Sequence, residues 1–255
     1  MNQPMNRVLS LLSVLLISIV CLTTASAQPR LQVEKPYGYQ VGEKIEEAVQ
    51  VLDSNLQPHS LVGLIKPETK VVVLVGFGGF ATQVPKGRFR GPLWCVDSFD
   101  DLAVQRALVA AFRRAPVQFI GIAVPPVYNP AAYGYAENAF LGLPDTSAEL
   151  LANTRRFIDG TQEEIRRGLI PFKEVYYDPK YRLAEKPGPS DGPSWQGKLR
   201  WHLDPRKYGL PIIWLIGPNG EILQEPFISN EYDSDPPQIN YQYSDVKAAI
   251  EKYLN

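Results

Sequence analysis

Cysteine and histidine are nearly missing from this chain of 255 residues, which holds two of each. They are Cys21, Cys95, His59 and His202, so a zinc site of the Cys/His kind lacks ligands. No metal and no other cofactor is expected. No motif supports a Ser-His-Asp or Cys-His nucleophile. An excess of charge is missing too. Lys and Arg number 26 against 27 Asp and Glu, a formal net charge of −1, which gives no electrostatic reason to expect nucleic acid as a partner. There are no internal repeats and no low-complexity tract. Beyond the first residues, no apolar run approaches the length of a membrane span.

What the chain does have begins with a leader-like segment. Arg7 is the only charged residue among the first 27. Val8 to Leu22 is an almost unbroken apolar run, and Ala25-Ser26-Ala27 is a small-residue cleavage pattern. Together they read as a secretory signal peptide over 1–27. The run is short of the roughly 20 residues a span needs, although an uncleaved anchor stays open as the alternative. Val20 is a poor fit before a lipoprotein cysteine at Cys21. The expected mature chain, 28–255, is one domain located outside the cytoplasm, periplasmic or secreted, meeting the membrane only during export. Cleavage leaves Cys95 alone, so no disulfide can form within the chain. Such a cysteine is either buried and inert or a free thiol.

The remaining pattern alternates strands and helices. Val51-Leu52, the turn residues Asp53-Ser54-Asn55 and Leu56 give a hairpin signal. "KVVVLVGFG" (70–78) reads as a strand buried on both faces. After a loop at 79–93, Ser98 stands three residues before Asp101, a capping-box spacing that predicts Ser98 as the N-cap of a helix. That helix ends before Pro116, and "VQFIGIAV" (117–124) is the next strand. Thr146 and Glu149 repeat the capping spacing ahead of a long amphipathic helix closing at Gly168. "FKEVYYD" (172–178) is a third strand, and 185–198 reads as exposed loop. "LPIIWLIG" (210–217), Pro218-Asn219-Gly220 and "EILQEPF" form a second hairpin. Ser244 is the expected cap of a last helix. This order predicts an α/β fold, a central mixed sheet with helices on both faces.

Taken together, "QVGEKIEEAVQVLDSNLQPHSLVGL", "KVVVLVGFG", "WCVDS" and "YGLPIIWLIGPNGEIL" resemble the thioredoxin-like superfamily, in particular its extracytoplasmic thiol-disulfide oxidoreductase and peroxiredoxin-like branch. The likeness covers roughly 38–255, with an N-terminal hairpin and an enlarged, helix-containing insertion at about 125–170. It implies a redox motif at Trp94-Cys95, a cis proline at Pro211 facing the thiol, and an active role for Cys95, Trp94, Ser98 and Pro211. Three departures stand out. Ser98 replaces the resolving cysteine. About 15 residues of loop separate strand and thiol. Pro92 stands where a peroxidatic cysteine has Thr or Ser three residues ahead of it.

Two functions follow from this. In one, Cys95 is a single nucleophilic thiol, and its cycle needs glutathione, another protein's thiol or a partner disulfide. In the other, a redox-inactive thioredoxin fold binds a peptide or protein through the aromatic loops "PPVYNPAAYGY" and "ISNEYDSDPPQINYQY". The state of the thiol divides them. A helix N-terminus and Arg88 and Arg90 favour the thiolate, while Asp97, Asp100 and Asp101 oppose it.

Overall fold

The computed structural model describes residues 39–47, 49–83, 91–126, 130–135, 148–177, 210–228 and 241–255, all within one compact unit, Pro36–Asn255. The expected leader, the Thr146 cap, the 185–198 loop, His202, Arg88, Arg90 and parts of both aromatic loops lie outside the described residues.

Strand β3 (Val71–Gly78) is buried along its whole length, as its unbroken run of apolar residues and glycine requires. Each fully buried Val or Leu contributes about 1.5–3 kcal/mol. β3 pairs in parallel with β4 (Val117–Val124), which pairs in parallel with β5 (Glu174–Tyr177). On its other side β3 meets β6 (Ile212–Ile216) antiparallel, and β7 (Phe227–Ile228) closes that edge. The N-terminal hairpin, β1 (Gln50–Leu52) and β2 (Pro58–Ser60), joins the far edge through Leu52 opposite Tyr177. The full order is β2-β1-β5-β4-β3-β6-β7, a mixed sheet of seven strands. With its helices, this is an α/β thioredoxin-like fold.

The turn of the first hairpin follows from Asp53, whose Oδ1 accepts from the backbone N–H groups of Asn55 at 2.8 Å and Gln57 at 2.9 Å. That is an Asx turn. The second hairpin forms around Gly217–Gly220, with Gly220 N–H donating to Gly217 O at 3.0 Å. Its return strand is shorter than expected. Isolated bridges from Ile216 to Ile222 and from Lys44 to Glu221 precede β7.

Helix α1 (Val96–Ala111) links β3 to β4, and α2 (Ala148–Arg166) links β4 to β5. The second half of the expected insertion is therefore this crossover helix. Gly168, at φ +75, closes α2. Arg106 of α1 donates to the Gly168 and Leu169 carbonyls there, at 3.1 and 3.0 Å, where a cation opposes the helix dipole favourably. Helix α3 (Tyr243–Leu254) ends the chain. Its cap is Gln242, in a capping box with Asp245, and not Ser244. Ser244 lies one turn position inside, exposed, and bonds its neighbour Asp245. Among the described residues, no helix is long and apolar enough to cross a membrane.

Candidate functional site: a half-buried thiol at the start of α1

The long loop after β3 returns to where it left. Phe80 bridges Leu93, Ala81 N–H donates to Pro92 O at 2.8 Å, and Trp94 N–H donates to Gly79 O at 3.0 Å. This return sets Cys95 against the end of β3, in spite of the extra loop residues. The fit is tight. A Cβ on Gly78 would come within 2.3 Å of the Cys95 Cβ, and one on Gly79 within 2.5 Å of the Phe157 ring. The Gly78-Gly79 pair is therefore required by close approach.

Cys95 is the N-cap of α1, extended at φ −100 and ψ 118. It is half-buried and free. Its Sγ donates to Leu210 O at 3.5 Å, across 115 residues of sequence. The Leu210–Pro211 peptide bond is cis. Thiol, helix start and Pro211 are thus brought together.

Ser98 corrects the sequence reading. It is not the N-cap. It lies in the first turn of α1, 1% exposed, and its Oγ accepts from Gly78 N–H at 2.9 Å. The reason is the sheet's geometry. The β3–β6 ladder ends at Gly76 opposite Ile212, while Gly79 N–H turns to Val124 O of β4. Gly78 N–H therefore points to the β6 side with no strand partner left, and Ser98 satisfies it. Asp101, the expected other half of the capping box, also turns inward. Its Oδ2 accepts from Tyr241 OH at 2.9 Å and from Gln105 Nε2.

Burial dominates the thiol's electrostatics, pushing Cys95 up from 9.0 to about 11. The Ser98 hydroxyl and the backbone N–H groups of Ser98 and Asp97 pull the other way, and the Asp97 carboxylate adds to the rise. Asp97 is itself pushed up by burial and by Asp100. At neutral pH Cys95 is a protonated thiol.

Trp94 is held in the packing. Its Nε1 donates to Val124 O at 2.6 Å, and its ring meets Tyr133 edge-on at 5.8 Å. The described parts of the aromatic loops also serve the interior. Tyr135 is buried and donates to Phe80 O at 2.9 Å, and Tyr241 is buried against Asp101. Helix α2 braces the same segment, with Thr161 Oγ1 accepting from Phe80 N–H at 3.2 Å. Gly78, Gln105 and Tyr241 were missed from sequence, and Asp101 was assigned the wrong role there. The glycine pair at a strand end was the one local signal available.

No family profile matches this chain, nor does any curated protein. Solved structures do, in 47 chains. One is described as a thiol:disulfide interchange protein DsbE from Chlorobium tepidum, with 14% identity, 84% of this chain and 99% of that one covered, and a TM-score of 0.41. Another is the mitochondrial 2-Cys peroxiredoxin from Plasmodium falciparum, with 14% identity, 84% and 93% coverage and a TM-score of 0.38. A third is a SCO1/SenC family lipoprotein from Bacillus anthracis, with 13% identity, 87% and 99% coverage and a TM-score of 0.35. These are distant likenesses of chain course. The chemistry of the site rests on this chain's own residues.

Proposed function

We propose that this chain is an exported thioredoxin-fold protein in which Cys95 is the redox-competent group, acting as a single thiol. The observation that carries the proposal is the contact of Cys95 Sγ with Leu210 O, next to Pro211 in sequence, at the start of a helix whose first N–H groups face the sulfur. Export rests on the Val8–Leu22 run and the Ala25-Ser26-Ala27 pattern, with the mature domain running from about Gln28.

The first step is thiol-disulfide exchange. The Cys95 thiolate attacks one sulfur of a partner disulfide, a Cys95–S–S–R bond forms, and the other sulfur leaves as a thiol that takes up the proton lost by Cys95. Ser98 has no sulfur to resolve the product. A second, external thiol attacks the mixed disulfide, becomes the new disulfide partner of R and returns Cys95 to the thiol. Ser98 and Pro211 position the sulfur, and Trp94 holds the loop that carries it.

The height of the Cys95 pKa favours a second reading, in which the same fold binds a peptide or protein partner without covalent chemistry. Incubation of the folded protein with glutathione disulfide, followed by mass spectrometry, separates the two. A glutathione adduct on Cys95 that dithiothreitol removes is the outcome expected for the thiol role. An adduct seen only after denaturation selects the binding role.

A further inference from the structure

A cleft of about 370 Å³ opens at the end of the sheet opposite Cys95. Cys95 touches Gly78, the last residue of β3, whereas the cleft is lined by Thr69, Val117 and Glu174, at or beside the first residues of β3, β4 and β5. An eight-residue strand separates the two, a distance of about 23 Å.

The lining divides into three parts. Its apolar part comprises Val109, Phe112, Phe119, Pro171 and Phe172. Its polar floor is closed on itself. Gln118 Oε1 accepts from Lys66 N–H at 3.0 Å and from Thr69 Oγ1 at 3.2 Å, and its Nε2 donates to Leu64 O at 2.9 Å and Glu174 Oε2 at 2.8 Å. Glu174 is paired with Lys66, which Glu68 also faces. The third part is two exposed cations, Arg113 and Lys173, that line the cleft. Neither has an ion pair or hydrogen bond among the described residues.

From these parts we propose that the cleft binds a small amphipathic monocarboxylate, with its apolar body against Phe119 and Pro171 and its carboxylate between Arg113 and Lys173. Glu174, paired with Lys66, and Glu68, which faces that lysine, line the same cleft. They disfavour a dianion, which would meet them. A volume near the lower bound of ligand sites limits the occupant to about a dozen non-hydrogen atoms. Arg supplies a planar fork that matches a carboxylate.

The test uses the whole chain and 3-phenylpropanoate, with 3-phenylpropanamide as the uncharged counterpart, followed by calorimetric titration and amide-shift mapping. The acid is expected to bind with a Kd of about 1 mM, as a ligand of this size allows, and to shift amides in 109–119 and 171–174. The amide is expected to bind at least about fivefold more weakly, the loss of one charge-assisted contact. The double variant Arg113→Gln/Lys173→Gln changes only exposed side chains, and it is expected to bind the acid no better than wild type binds the amide. The variant Cys95→Ser should bind as wild type, so failure at this site and failure of the thiol chemistry are read separately. No saturable binding, equal binding of acid and amide, or an unaffected double variant each overturns the proposal.

Discussion

Cys95 and Asp101 sit six residues apart, at the edge of α1 and inside it, and burial moves both toward their protonated forms, the thiol to about 11 and the carboxyl to about 6. The consequences are opposite. For a thiol the neutral form is the ordinary one at pH 7, so the shift costs no stability and only silences the nucleophile. For a carboxyl the neutral form is unusual at pH 7, so the shift measures a stranded charge. The hydrogen bonds tell the same story. Cys95 holds its proton and gives it to Leu210 O. Asp101 is 1% exposed, and its Oδ1 and the Gln105 Oε1 are both acceptors without a partner. Asp101 lacks one hydrogen. Desolvation alone does not decide what a buried ionisable group does. The group's ordinary pKa decides whether burial quiets it or strains the fold.

The largest effect separates the two groups by rate. Alkylation of Cys95 with iodoacetamide should rise about tenfold per pH unit, about a thousandfold from pH 7 to pH 10, because only the thiolate reacts. A free thiol, at a pKa of about 8.5, gains only about thirtyfold over that range and then levels off. Circular dichroism at each pH establishes that the protein is still folded. A plateau near pH 9 would show that Cys95 is open to water and would return the thiolate mechanism to neutral pH.

Next comes the carboxyl, read as stability. The gap between 3.8 and about 6 corresponds to about 3 kcal/mol. The folded-state pKa is raised, so the protonated acid stabilises the fold fully below about pH 4, and that contribution is lost as pH rises through about 6. Asp101→Asn mimics the protonated form. It removes the charge and makes the partnerless Oδ1 position a donor, while its oxygen still accepts from Tyr241. Urea denaturation at pH 7.5 should show the variant more stable by up to about 3 kcal/mol, with the difference closing by pH 4. A variant that loses stability at both pH values would mean that the Asp101–Tyr241 bond needs the charge.

Much of this architecture was legible in the sequence, because β3, β4 and β6 are runs of apolar and β-branched residues that no other element tolerates. The position of Cys95 at a helix start was legible for a similar reason, from the acids and periodicity that follow it. The role of Ser98 was not. Ser-x-x-Asp is a valid capping box in isolation, and what overrides it is an N–H on Gly78, twenty residues earlier, that has no strand partner because β6 begins only at Ile212, after Pro211. Asp101 and Tyr241 are 140 residues apart, and the Cys95–Leu210 contact spans 115. Contacts of that range leave no local pattern.

A methyl group on Gly78 should disturb Cys95 and spare Asp101. It would lie 2.3 Å from the Cys95 Cβ and 3.0 Å from the Trp94 ring, so the start of α1 must move away from β3. Gly78→Ala is expected to cost about 1–3 kcal/mol, the range for overpacking a close contact. The pH dependence of stability that Asp101 contributes should persist unchanged. If it vanishes together with the thiol's pH–rate slope, the two ends of the first turns of α1 move as one body, and the contrast between them fails.

Ser98 stands midway, three residues from each group, and it divides the effects most finely. Ser98→Ala leaves the buried Gly78 N–H without its acceptor, which costs about 1–3 kcal/mol, the desolvation penalty of an unsatisfied buried donor. It also removes the hydroxyl that lowers the Cys95 pKa, so the pH–rate line should move to higher pH with its slope unchanged. Asp101 makes no hydrogen bond to Ser98, so its pH-dependent stability should not move. A variant destabilised to this extent but alkylated at the wild-type rate would assign Ser98 to the sheet alone. A shift in rate that Ser98→Thr restores assigns it to the sulfur as well, because only a hydroxyl in that place can serve both the Gly78 N–H and the Cys95 thiolate.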